Sequence, residues 1–144
     1  MPSPRGLTLH HVGCVVDSIE DRIESYRVGL GSASVSEIFE DPIQRSRVAF
    51  LDLPTPGSVQ FELVQPTVPD SPVARFLTKG GGLHHLCYEV DDLREQIQWM
   101  KSQGALLIRS PKPAVAFGGR QIAWMRTADS LLIEYLERHL HGSS

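Results

Sequence analysis

The chain has 144 residues, enough for one compact domain or for two small modules that share a core. With 41% hydrophobic and 22% charged residues it has the make-up of a packed globular protein, which excludes disorder, collagen-like repeats and a small disulfide scaffold. A net charge of -3 offers no basic footprint for nucleic acid or an anionic membrane, and no apolar run reaches the roughly eighteen residues of a membrane span.

The opening Met-Pro-Ser-Pro-Arg lacks the apolar segment of a secretory signal, so a cytoplasmic location is the default expectation. Cys14 and Cys87 have no second cysteine at metal-site spacing and are expected to be reduced thiols. Residues about 8–16 read as a strand, and Ile19, Ile23 and Tyr26 then form an i, i+4, i+7 stripe that predicts a helix over about 18–29. Asp17 or Ser18 suits its N-cap, and Gly29 or Gly31 its end. A short strand is expected before two longer ones at about 47–53 and 58–65. Gln65 to Asp70 reads as an extended connector, and Ser71-Pro72 as the N-cap and first residue of one or two helical turns reaching Leu77. Lys79-Gly80-Gly81-Gly82 lacks a following helix or a GxxxxGK[ST] frame, so it reads as a flexible link rather than a phosphate cradle.

The same series then recurs, with a strand at about 82–90 and a helix at about 92–103 that carries the stripe Leu93, Ile97 and Met100. Asp91 or Asp92 suits its N-cap and Gly104 its end, and later strands are expected at about 121–127 and 131–137 after a short earlier one. The loop from Pro111 to Arg120 is apolar enough to act as a lid over a pocket. The tail from Arg138 to Ser144, with His139 and His141, carries no pattern and is expected to fray.

This recurrence is an internal repeat. Sliding the chain so that His10 falls on His84, an offset of 74, sets His10-His11-Val12-Gly13-Cys14-Val15-Val16-Asp17 on His84-His85-Leu86-Cys87-Tyr88-Glu89-Val90-Asp91. At the same offset Val48-Ala49-Phe50-Leu51 meets Ile122-Ala123-Trp124-Met125, and at an offset of 72 Phe61-Glu62-Leu63 meets Ile133-Glu134-Tyr135. Duplication accounts for these three matches together with the helix stripe, where Ile19, Ile23 and Tyr26 fall on Leu93, Ile97 and Met100, and the period is too long for a solenoid. The expected architecture is α+β: two tandem βαβββ modules forming a cupped mixed sheet with helices on the outer face. Module one spans about 7–66, a connector about 67–81 and module two about 82–138, all within a single domain.

Strand alternation separates His11, Gly13 and Val15 from His10, Val12, Cys14 and Val16, and His85, Cys87 and Glu89 from Leu86, Tyr88 and Val90. The apolar sets suit packing under the helices, leaving His11 and His85 on the other side of the sheet. Glu62 and Glu134 stand apart from their apolar neighbours in the same way. If the copies pair about a pseudo-twofold axis, two imidazoles and two carboxylates converge as the ligands of a divalent metal, with zinc, nickel, cobalt, manganese or iron all compatible. A glutamate inside an apolar strand argues for this, because a buried carboxylate without compensation costs several kcal/mol. By parity His10 and His84 are structural or supporting groups, Cys14 is core, Cys87 is a buried thiol or pocket residue, and Glu89 is a pocket or interface residue of unassigned role.

These residues and the duplicated plan resemble the vicinal oxygen chelate superfamily, which includes glyoxalase I, methylmalonyl-CoA epimerase, extradiol dioxygenases and bleomycin-resistance proteins. The resemblance spans about residues 7–138, and Leu9-His10-His11-Val12-Gly13, Asp70-Ser71-Pro72-Val73-Ala74-Arg75-Phe76-Leu77 and Gly82-Leu83-His84-His85-Leu86-Cys87-Tyr88-Glu89-Val90-Asp91-Asp92 look most like the epimerase branch. It implies the metal ligands His11, Glu62, His85 and Glu134, an enolate-forming isomerase, a small-molecule substrate such as an acyl-CoA thioester, and Glu134 or Glu62 as general base. A homodimer is expected on the same analogy. One departure is that some epimerases of this family carry a further carboxylate on the strand that here reads Arg47-Val48-Ala49-Phe50-Leu51, where none precedes Asp52. The alternatives are therefore a glyoxalase I-like lactoylglutathione lyase with one shuttling carboxylate, or a non-catalytic antibiotic-binding protein. An extradiol dioxygenase fits less well, since it uses two histidines and one carboxylate with iron(II) and usually has twice as many modules.

Overall fold

A computed structural model describes residues 6–139. Residues 1–5 and 140–144 lie outside the described residues, and with them most of the Arg138–Ser144 tail expected to fray, but Arg138 at its start is held by hydrogen bonds to Asp91 and Thr8. The fold is α+β and mixed, built as two βαβββ series, and it divides into two compact units, His11–His84 and His85–Ser144 with Met1–His10. No helix among the described residues is long and apolar enough to cross a membrane.

In the first unit the strands are β1 (Thr8–Val15), β2 (Phe39–Asp41), β3 (Ser46–Asp52) and β4 (Gln60–Pro66), in the order β2-β3-β4-β1. β1 runs parallel to β4 because helix α1 (Ile19–Leu30) and two further strands intervene, and the other pairs are antiparallel. α1 begins at Ser18, whose Oγ accepts the Asp21 amide at 3.2 Å. It ends at Gly31, in the left-handed region at φ 68°, while Gly29 stays inside the last turn as an ordinary helical residue. The predicted stripe docks as expected: Ile19, Ile23, Tyr26 and Leu30 cover Val12, Cys14, Ala49, Leu51, Phe61 and Leu63.

Helix α2 (Pro72–Thr78) follows the connector, capped by the buried Ser71 hydroxyl on the Ala74 amide at 3.1 Å. The glycines after it are a defined turn rather than a flexible link. Gly81 has φ 68°, and a Cβ there would sit 2.8 Å from the Val15 carbonyl oxygen, so this close passage of backbone needs glycine.

In the second unit β5 (Gly82–Val90), β6 (Leu106–Pro113), β7 (Gln121–Arg126) and β8 (Leu132–Glu137) take the order β5-β8-β7-β6, with β5 and β8 parallel. Helix α3 (Leu93–Ser102) starts at Asp92, whose carboxylate accepts the Glu95 amide at 3.0 Å. Its stripe of Leu93, Ile97 and Met100 packs on Val90, Ala123, Met125, Ile133 and Tyr135. β6 has eight residues and is not the short strand expected. It incorporates Pro111 and Pro113 because the last strand in the order has one side without a ladder partner. The rest of the expected lid is packed down within its own unit. Ala114 is buried with Cys87, Ile122 and Leu136, a short helical turn spans Val115–Phe117, and Phe117 packs on the same cluster.

The two series share one register. Gly13 lies opposite Glu62 and Cys87 opposite Glu134 in the parallel pairs, while Phe50 faces Glu62 and Trp124 faces Glu134 in the antiparallel ones. The change of offset from 74 to 72 falls in the hairpin loops, residues 53–59 in one unit and 127–131 in the other.

Candidate functional site

Each unit contributes one histidine and one glutamate from its parallel strand pair. In the first unit His11 leaves β1 on the face away from α1, two residues before the Gly13 that opposes Glu62 on β4. In the second, His85 leaves β5 two residues before the Cys87 that opposes Glu134 on β8. The four residues lie between 0 and 5% exposed. His11 Nε2 stands 3.3 Å from Glu62 Oε1, and His85 Nε2 stands 3.5 Å from Glu134 Oε1.

Those separations exceed the 2.7–2.9 Å or so of a charge-assisted hydrogen bond. They match a different geometry, because two donors bound at about 2.1 Å to one ion at a tetrahedral angle stand about 3.4 Å apart. Burial of a carboxylate also favours a balancing positive charge. Imidazole nitrogen with carboxylate oxygen is a donor set suited to zinc, nickel, cobalt, manganese or iron, so each pair fits a divalent metal.

Both imidazoles are backed by an aromatic ring that sequence reasoning did not single out. His11 meets Phe50 of β3 edge to face, with centroids 5.6 Å apart, and His85 meets Trp124 of β7 in the same way at 4.7 Å. The signal was available, since Phe50 and Trp124 coincide in the repeat alignment, but there they read as ordinary strand residues.

The other candidates separate by environment. His10 packs edge-on against Phe117 at 5.1 Å and His84 against Phe76 at 4.8 Å, consistent with supporting roles. Cys87 is fully buried in the apolar cluster that holds the 114–117 turn. Cys14 lies in the first core, 3.4 Å from the Tyr26 hydroxyl. This hydrogen bond, with burial, pushes the Tyr26 phenol up to about 12. Glu89 acquires a partner the sequence could not supply, Arg120 Nη1 at 2.9 Å, and Arg120 also donates to the Phe117 carbonyl.

Residues 10–124 match the model of the glyoxalase/bleomycin resistance protein/dioxygenase superfamily, also known as the vicinal oxygen chelate superfamily. The chain belongs to this superfamily. Among its vicinal oxygen chelate relatives is the ethylmalonyl-CoA/methylmalonyl-CoA epimerase of Cereibacter sphaeroides, 33% identical over 123 residues that cover 84% of this chain and 89% of that protein. A solved structure of a hypothetical protein from Bacillus halodurans C-125 superposes with a TM-score of 0.82 at 30% identity, covering 97% of this chain and all of that one. The methylmalonyl-CoA epimerase of Mycobacterium tuberculosis superposes with a TM-score of 0.79 at 29% identity over 92% of this chain and 88% of that one. The α+β vicinal oxygen chelate fold is therefore common to all of them.

Proposed function

We propose that this protein is a divalent-metal-dependent isomerase acting at a carbon next to a carbonyl, with a methylmalonyl-CoA-like acyl thioester as its first substrate. The observation that carries the reading is the buried histidine–glutamate pair repeated at one register in both units. In this reading His11, Glu62, His85 and Glu134 together hold one ion, and the whole chain is a single functional domain. The epimerase relatives support the substrate class.

When bound, such an ion supplies a Lewis acid that polarises the carbonyl oxygen and makes the neighbouring C–H more acidic. The carboxylate of Glu134 or Glu62, within hydrogen-bond reach of the carbon acid, takes that proton from one face, and a proton returned to the opposite face inverts the carbon. His11 and His85 keep their Nε2 atoms directed toward their glutamates, and burial of all four groups limits competing water.

A second reading is favoured by β3, which carries no carboxylate before Asp52 and sets Phe50 against His11. Chemistry with one shuttling base, as in a glyoxalase-like lyase, needs no further acid on that strand.

The test is elemental analysis of the purified protein beside the His11→Ala/His85→Ala double variant, followed by deuterium exchange into methylmalonyl-CoA. About one equivalent of metal, lost in the variant, with metal-dependent exchange, is the expected result. Metal without exchange transfers the substrate assignment to a glutathione hemithioacetal. Absence of metal after reconstitution overturns the catalytic reading and favours a binding protein.

A further inference from the structure

A histidine ligand does not orient itself. Its ring torsion is a broad, roughly twofold well, so an imidazole with space around it swings its nitrogen away from a neighbouring carboxylate. Glutamate, with one more side-chain torsion than histidine, is freer still. Something in each unit must restrict this rotation for a histidine–glutamate pair to be set in advance.

The antiparallel registers supply it. Phe50 lies directly opposite Glu62, and Trp124 directly opposite Glu134, so ring and carboxylate rise side by side from neighbouring strands. Each ring reaches across to the histidine of the next strand but one, at an interplanar angle of 73° for Phe50 with His11 and 76° for Trp124 with His85. This edge-to-face contact is a preferred aromatic geometry and leaves the imidazole little room to turn. The nitrogen facing the carboxylate is Nε2 in both units. The two copies differ in the ring itself, phenylalanine in one and the larger tryptophan in the other, yet both keep an aromatic side chain there. A flat ring at this position is the shared feature.

We infer that Phe50 and Trp124 are positioning residues that preset the two imidazoles for metal binding. The inference rests on the metal-dependent reading above and extends it to residues that carry no ligand atom for the ion. Leucine fills much of either site but gives no ring edge or face for the imidazole. Phe50→Leu and Trp124→Leu therefore weaken metal binding through loss of preorganisation, with all four ligands intact. Trp124→Phe retains the ring and restores most of the affinity.

The experiment is titration of the metal-free protein with Co(II), read by competition with a chromophoric chelator and by the visible spectrum of the bound ion. A second readout uses a Trp99→Phe background, in which Trp124 is the remaining tryptophan and its fluorescence reports ion binding beside His85. Thermal melts of the metal-free variants establish that each is folded, and Phe50→Met and Trp124→Met, which also remove the ring, serve if a leucine variant is not. The expected result is a drop in Co(II) affinity of about 10- to 100-fold in each leucine variant, the range for loss of groups that orient metal ligands. An altered Co(II) spectrum and recovery in Trp124→Phe accompany it. Wild-type affinity and spectrum in folded leucine variants overturn the inference while leaving the metal site standing. Wild-type protein that binds Co(II) no better than His11→Ala/His85→Ala removes the metal reading and this inference with it.

Discussion

The glutamates differ from the histidines in what their removal should do. Glu134→Gln keeps an oxygen donor at the same place but removes a basic carboxylate. If Glu134 is the base, turnover falls by about 100-fold or more with metal stoichiometry unchanged, the usual scale for a lost general base. Full turnover with metal still bound transfers that role to Glu62. Tyr26 gives a residue-scale prediction independent of the site. Its phenol is raised from 10.0 to about 12 by the hydrogen bond to Cys14 and by burial, so folding favours the protonated form. Its contribution to stability is complete below pH 10.0 and disappears as the pH rises through about 12. The stability difference between wild type and Tyr26→Phe, measured by urea unfolding, is expected to be flat up to about pH 10 and to shrink above it.

At the scale of elements, the helices are set by local chemistry and the turns by close approach. Ser71→Ala removes the hydroxyl that caps α2 and costs about 1 kcal/mol in denaturant unfolding. Gly81→Ala costs more, about 1–3 kcal/mol, because an L-residue is strained in this region and its Cβ meets the Val15 carbonyl. The 114–120 segment is held by burial of Ala114 and by the Glu89–Arg120 ion pair. Glu89→Gln is expected to speed hydrogen exchange at 114–120 while leaving that in α3 unchanged. Unaltered exchange there would assign the anchoring to Ala114 and Phe117.

For the whole molecule, the duplicated register leads to a prediction about connections. Residues 53–59 and 127–131 close equivalent hairpins with loops that differ by two residues. An even difference keeps side-chain parity, whereas a shift by one would turn Glu62 to the helical face. Replacing residues 53–59 by the sequence Thr-Ala-Asp-Ser-Leu of 127–131 should therefore leave β3 and β4 in register and metal binding intact. Loss of metal from a folded graft would mean that the longer loop itself supports Glu62.

The sequence by itself determined the α+β class, the repeat, the helix faces and the two histidine–glutamate sets. Periodicity and parity are local properties, and duplication printed them twice. Ser18 and Asp92 were legible as caps for the same reason. Tertiary structure alone decided the spacing of His11 from Glu62 and of His85 from Glu134, since each pair spans about fifty residues of chain and is closed by a parallel strand pairing. It also decided that Phe50 and Trp124 face the imidazoles, that Arg120 reaches Glu89, and that Gly81 passes close to Val15. Gly29 and the prolines of β6 misled because a residue's local preference yields to its place in the fold. A helix can extend through a glycine, and an edge strand tolerates a missing donor. Such contacts join residues distant along the chain, and no local pattern encodes the distance at which they meet.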